Sequence, residues 1–145
     1  MTFDLSATPL VSLDEGVLTL PISLEGKGNA LDSDAVDQAG AALAALLDGG
    51  LDARAVLLVG LGKNFCAGGN VAGFASADDR SAHVHELADR LHRVVRQLDE
   101  VAVPVVAAVA GWAAGAGLSL ALNADFSVGG ADTRLLAAYP GIGLS

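Results

Sequence analysis

Residues 101–125, VAVPVVAAVAGWAAGAGLSLALNAD, run apolar to Val109, bend through Gly111, Gly115 and Gly117, and resume as a second apolar segment ending at Asn123. Three readings compete for this stretch. About 20 apolar residues without a charge would span a bilayer as a helix. Pro104, the three glycines and the predominance of alanine over leucine and isoleucine make such a helix poor. A strand followed by GxxxGxG and a helix would place a pyrophosphate on the helix N-terminus, but that pattern normally opens a long α/β chain, and few residues follow Gly117. The third reading is a buried strand over 103–109 that turns sharply, so that backbone N–H groups at the start of a helix from about residue 117 point into a cavity. The rest of the chain favours this third reading.

A chain of 145 residues makes about one domain, here taken as 1–145 without a linker or boundary. With 52% apolar residues it can bury a core. Its net charge of -9 argues against electrostatic attachment to nucleic acid or to an anionic membrane surface, so an anionic ligand must be held by local groups. The single cysteine, Cys66, excludes an internal disulfide and fits a reducing compartment. The first ten residues carry Asp4 and no basic region, so a cytoplasmic protein is expected.

Outward from the central stretch, strands and helices alternate. Residues 11–14 and 17–24 flank Glu15-Gly16 as a hairpin. After the loop 25–29, Asp32 or Ser33 caps a helix that runs to Leu47 and stops at Gly49-Gly50. Residues 55–59 read as a strand covered on both faces, followed by a glycine-rich loop over 60–73. Over 81–99, Val84, Leu87, Leu91, Val94, Val95 and Leu98 recur at helical spacing, with charge on the other faces. A strand over 125–128 and an apolar run at Leu135-Leu136 follow the central helix. The pattern is that of an α/β chain with repeated right-handed units.

Two glycine-rich bends each follow a buried strand: GLGKNFCAGGN at 60–70 and AGWAAGAG at 110–117. Paired N–H groups from two such bends would form a preorganised site for a developing oxyanion, and small residues let a substrate approach the main chain. RAVLLVGLGKNFCAGGN, the spacing from it to AVAGWAAGAGLSLALNADF, and the closing AAYPGIGLS resemble the N-terminal half of the enoyl-CoA hydratase/isomerase, or crotonase, family. The resemblance covers residues 18–145. It implies a spiral of β-β-α units, cut short before the C-terminal helical region, that binds acyl-CoA thioesters and stabilises the thioester enolate with two backbone N–H groups. Gly69 and Ala116 match the two donors. Lys27 and Ala30, in the KGNAL loop, match positions near the CoA, with the backbone around Ala67 and Gly68 against the adenine. Lys27 reads equally as a solvated loop lysine.

Hydratases of this family carry a glutamate three positions after the second donor and another further on. Ser119 and Tyr139 stand at those positions, and neither hydroxyl replaces a carboxylate base at neutral pH without strong activation. The ending AYPGIGLS resembles the branch that includes isomerases of the phenylacetate pathway, in which an aspartate shortly after GLS is the acid/base; the chain ends before that position. Asp125 matches a structural position at a helix end, and Cys66 a packing position of its motif. His83 and His85 point in different directions on a helix, and His92 can share a face with His85 but finds no third ligand, so no metal is expected. The resemblance implies an enoyl-CoA hydratase or isomerase with no cofactor beyond the CoA moiety of its substrate, trimeric or hexameric when complete. A non-catalytic acyl-CoA-binding protein or partner subunit is the alternative, and a dinucleotide-binding reductase the third reading. In either acyl-CoA reading the chain is expected to expose apolar surface.

Overall fold

The structure, a computed structural model, describes residues 2–70 and 78–143. The apolar runs become strands of one five-stranded sheet, in the order β1-β2-β3-β4-β6: β1 (Ser12–Asp14), β2 (Val17–Leu24), β3 (Ala55–Leu61), β4 (Val105–Val109) and β6 (Phe126–Gly129). Only β1 runs antiparallel, against β2. β2, β3, β4 and β6 are mutually parallel neighbours. The hairpin turns at Glu15 and Gly16, both with positive φ (47° and 80°), the geometry whose twist matches that of paired strands.

Helix α1 (Ser33–Leu47) starts where Asp32, itself buried, accepts the Ala35 N–H at 2.9 Å. Its buried face, Ala35, Val36, Ala39, Ala42 and Leu43, follows helical spacing and packs toward β2. Helix α2 (Arg80–Glu100) is capped by Asp79, which accepts the Ala82 N–H at 3.0 Å, and lies along α1. Arg90 meets Asp37 at 2.6 Å, and Gln97 donates to the Gly40 carbonyl at 3.1 Å. Both expected helices thus form, within a residue of their expected ends.

Gly40 gives a stability prediction. A Cβ added there would sit 3.5 Å from Val94 Cγ2 and 3.6 Å from Gln97 Oε1, ordinary contact distances. Alanine in a helix interior is better than glycine by about 0.5–1 kcal/mol. Gly40→Ala is therefore expected to raise the free energy of unfolding by that amount and the denaturant midpoint with it, read by circular dichroism; an unchanged or lowered midpoint would contradict the α1–α2 spacing.

The central stretch resolves into β4, a short strand β5 (Trp112–Ala114) and helix α3 (Ala116–Asn123), so it is no membrane helix. Among the described residues, no helix is long and apolar enough to cross a membrane. The strand expected over 103–109 begins two residues later because Pro104 has no N–H to donate; its carbonyl accepts from Val56, and the Val105 N–H goes to the Asp125 carboxylate at 2.7 Å. Asp125 is thus structural, as its position implied. The bend expected over 110–117 turns at Gly111 and Gly115 but is extended between them: β5 pairs in parallel with β7 (Arg134–Leu136) as a second, two-stranded sheet. That pairing spans about twenty residues of chain and leaves no local periodicity to read.

The sheet and both long helices share one core, from Val11 and Leu18 to Leu98 and Leu120. At the β6–β7 side, Leu122, Phe126, Val128, Leu135 and Leu136 are exposed, Leu122 by 73%. The expected exposed apolar surface lies here.

Candidate active site

The site is assembled by a polar network that staples three loops. Asn29, buried and left-handed (φ 56°), donates through Nδ2 to Ser23 Oγ and the Leu61 carbonyl, both at 3.1 Å, and accepts the Asn64 N–H at 3.2 Å. Ser23 Oγ donates to the Phe65 carbonyl at 2.7 Å, and the Asn64 side chain accepts the Trp112 N–H at 2.9 Å. The loop before α1, the loop after β3 and the start of β5 are thereby fixed to one another.

The two glycine-rich bends then lie side by side. Phe65 N–H donates to the Ala110 carbonyl at 2.7 Å, Cys66 N–H to Trp112 at 3.0 Å, and Ala114 N–H to Cys66 at 2.9 Å, a short ladder along the second bend. Ala67 N–H donates to Asn29, and Leu31 N–H to Gly68, each at 2.7 Å. Ala30 therefore sits beside Ala67 and Gly68. A Cβ built on Gly115 would stand 3.8 Å from the Gly68 Cα, so the bends touch. Gly115 has φ 52° and ψ -119°, the mirror image of an extended conformation, which only glycine adopts cheaply. α3 begins at the next residue, Ala116, whose N–H has no acceptor inside the helix and carries the positive end of its dipole.

Both bends open on a cavity of about 280 Å³. Ala67, Gly68, Gly69, Gly115 and Ala116 form one side of its lining, together with Leu31, Ala138 and Tyr139; Val84, Leu87, Ala88, Leu91 and His92 of α2 form the rest. Gly69 and Ala116, which the family resemblance matches to the two donors, thus line the same space. Ser119 and Tyr139 also come together, with their hydroxyl oxygens 3.3 Å apart, and Ser119 Oγ lies 3.4 Å from the Gly115 carbonyl. The Lys27 side chain, residues 71–73 at the end of the glycine-rich loop, and residues 144–145 of the closing motif lie outside the described residues.

Cys66 is fully buried, and burial pushes its thiol up to about 11, so thiolate is scarce at neutral pH. Its packing role fits this better than a nucleophile's. His85 contacts the Ser81 carbonyl at 2.8 Å, and among the described residues no three potential ligands gather for a metal.

The reading of the sequence missed two parts. The helical stripe of α2 was legible, but its N-terminal half lines the cavity while Val94 and Leu98 enter the core. The Asn29–Asn64 network left no signal beyond two asparagines in loops, where such residues are ordinary.

Comparison with known proteins identifies the family and the fold. The family model described as enoyl-CoA hydratase/isomerase matches residues 13–145. A Mycobacterium tuberculosis protein named as a probable enoyl-CoA hydratase is 39% identical over 114 residues, which cover 79% of this chain and 43% of that protein. The 1,2-epoxyphenylacetyl-CoA isomerase of Escherichia coli is 31% identical, covering 93% of this chain and 52% of its own. Among solved structures, the enoyl-CoA hydratase of Mycobacterium smegmatis superposes with a TM-score of 0.80 at 31% identity, over 93% of this chain and 52% of the other. The chain spans about half the length of these relatives.

Proposed function

This chain belongs to the enoyl-CoA hydratase/isomerase, or crotonase, family, and we propose that it binds an acyl-CoA thioester in the cavity and holds the enolate oxygen on the N–H groups of Gly69 and Ala116. The observation that carries this reading is that two glycine-rich bends, locked in contact, contribute both residues to one largely apolar cavity. Removing a proton next to a thioester carbonyl drives charge onto its oxygen. Donors already fixed by the backbone ladder stabilise that charge without reorganising, and apolar walls keep water from weakening them. Shifting a double bond or adding water across it both proceed through such an intermediate.

The CoA moiety runs past Lys27, Ala30, Ala67 and Gly68, where Ala67 is exposed and Ala30 half-buried. No cofactor beyond that moiety is required. We place the protein in the cytoplasm, as the N-terminal part of one domain whose complete form assembles with copies of itself as a trimer or hexamer. A second reading, an acyl-CoA-binding protein without turnover, is favoured by the hydroxyl pair Ser119–Tyr139 at the positions of the family's carboxylates.

Calorimetric titration with butyryl-CoA, CoA and NADH tests the binding. Butyryl-CoA is expected to bind more tightly than CoA, and NADH not at all. Binding of NADH alone would replace the acyl-CoA reading with the dinucleotide one. Hydration or isomerisation of crotonyl-CoA then separates the enzyme from the binding protein.

A further inference from the structure

We propose that His92 is the base that takes the proton from the carbon next to the thioester carbonyl; the inference rests on the acyl-CoA reading above. One face of α2 lines the cavity, with Val84, Leu87, Ala88, Leu91 and His92 at spacings of one turn. Four of these five are apolar, as an acyl-chain wall requires, and the fifth is an imidazole. The charged residues of the same turns sit elsewhere: Glu86 and Arg90 pair with each other, and Arg90 reaches across to Asp37. The histidine therefore belongs to the cavity wall by position, although the rest of that wall is greasy.

Among the described residues lining the cavity, only His92 and Tyr139 have side chains that exchange protons, and no carboxylate lines it. The Tyr139 hydroxyl is engaged with Ser119, and a neutral phenol is a weak base. A neutral imidazole is the ordinary proton acceptor of enzyme sites at physiological pH. In the proposed step its ring-nitrogen lone pair bonds to the α-proton. The C–H electron pair becomes the carbon–carbon double bond of the enolate, and the carbonyl π pair moves to the oxygen held by Gly69 and Ala116. The imidazolium then returns the proton, to the same carbon or, in an unsaturated chain, to the γ-carbon with migration of the double bond. No oxidant or other co-reactant is needed.

Exchange of the α-hydrogens of butyryl-CoA in D2O, followed by mass spectrometry, reads this step directly. His92→Gln and His92→Ala are expected to slow exchange about 10²-fold or more, with butyryl-CoA affinity within a few-fold of the original. Added imidazole is expected to restore exchange in His92→Ala, which a purely packing role would not allow. Full exchange in His92→Gln, thioester bound by the unaltered chain without exchange above buffer, or a loss that imidazole leaves untouched would each overturn the assignment of His92 and leave acyl-CoA binding standing. Failure of the unaltered chain to bind butyryl-CoA would overturn the acyl-CoA reading itself, and the role of His92 with it.

Discussion

Ala116→Pro is expected to slow α-hydrogen exchange, and any turnover of crotonyl-CoA, by about 10²-fold or more, with little change in the unfolding midpoint. Ala116 is the first residue of α3, the position at which a helix tolerates proline best: its N–H has no intrahelical partner and proline's fixed φ suits the first turn. Proline normally restricts the residue before it through a clash with that residue's Cβ. Here that residue is Gly115, which has no Cβ and whose φ of 52° and ψ of -119° mirror the extended conformation that proline favours in its predecessor. The substitution therefore replaces the N–H by the ring N–Cδ bond, removing the donor and putting a methylene where its hydrogen pointed, while leaving the fold in place. Removing one donor from an oxyanion site costs about 2.7–4 kcal/mol in the transition state, which sets the expected loss. Gly69→Pro removes the partner donor and is expected to act with similar size. Because the two donors serve one oxygen, their combined loss should fall short of the product. Unchanged exchange in both single variants would sink the oxyanion assignment.

Local chemistry wrote the legible part of this fold into the chain. Glu15-Gly16 between apolar runs, Asp32 ahead of the alanine-rich helix, and the stripe from Val84 to Leu98 each act within a few residues, and each gave its element within a residue or two. The central stretch was legible for a different reason: Gly111, Gly115 and Gly117 mark where the chain must turn or be approached closely. What stayed hidden depends on partners far along the chain. β5 exists because residues 134–136 return beside it, and the Asn29 side chain finds Leu61 and Asn64 only after β3 has paired with β2. The two donors come from the family resemblance; spacing alone indicates only that two bends can share a site. The sequence offers His92 only as a metal ligand that lacks a third partner, and no sequence pattern reveals which half of an apolar helical stripe faces a cavity and which the core.

Gly117→Ala is expected to destabilise the protein by about 2–3 kcal/mol and to weaken thioester binding, although helix propensity taken alone predicts the opposite. Alanine is favoured over glycine inside a helix by at most about 1 kcal/mol. Against that, a Cβ at position 117 would stand 2.3 Å from the Cys66 carbonyl oxygen and 2.6 Å from the Cys66 Cβ, far inside contact distance. Cys66 cannot retreat: it is fully buried, its N–H is bonded to Trp112 and its carbonyl to the Ala114 N–H. Overpacking a tight site costs about 1–3 kcal/mol, and pushing the carbonyl off Ala114 adds the penalty of a buried group left without its partner, about 1–3 kcal/mol more. The clash therefore outweighs propensity. Gly40→Ala is the matched control, with the same change in a helix, ordinary contacts and the opposite expected sign. The alternative relief is for α3 to shift away from Cys66, and Ala116 would then move with it. Loss of stability and loss of butyryl-CoA affinity are accordingly expected together, measured by denaturant unfolding and calorimetry on one preparation. A Gly117→Ala protein as stable as the original would mean that the start of α3 does not rest on the first bend, and the basis for a shared oxyanion site would go with it.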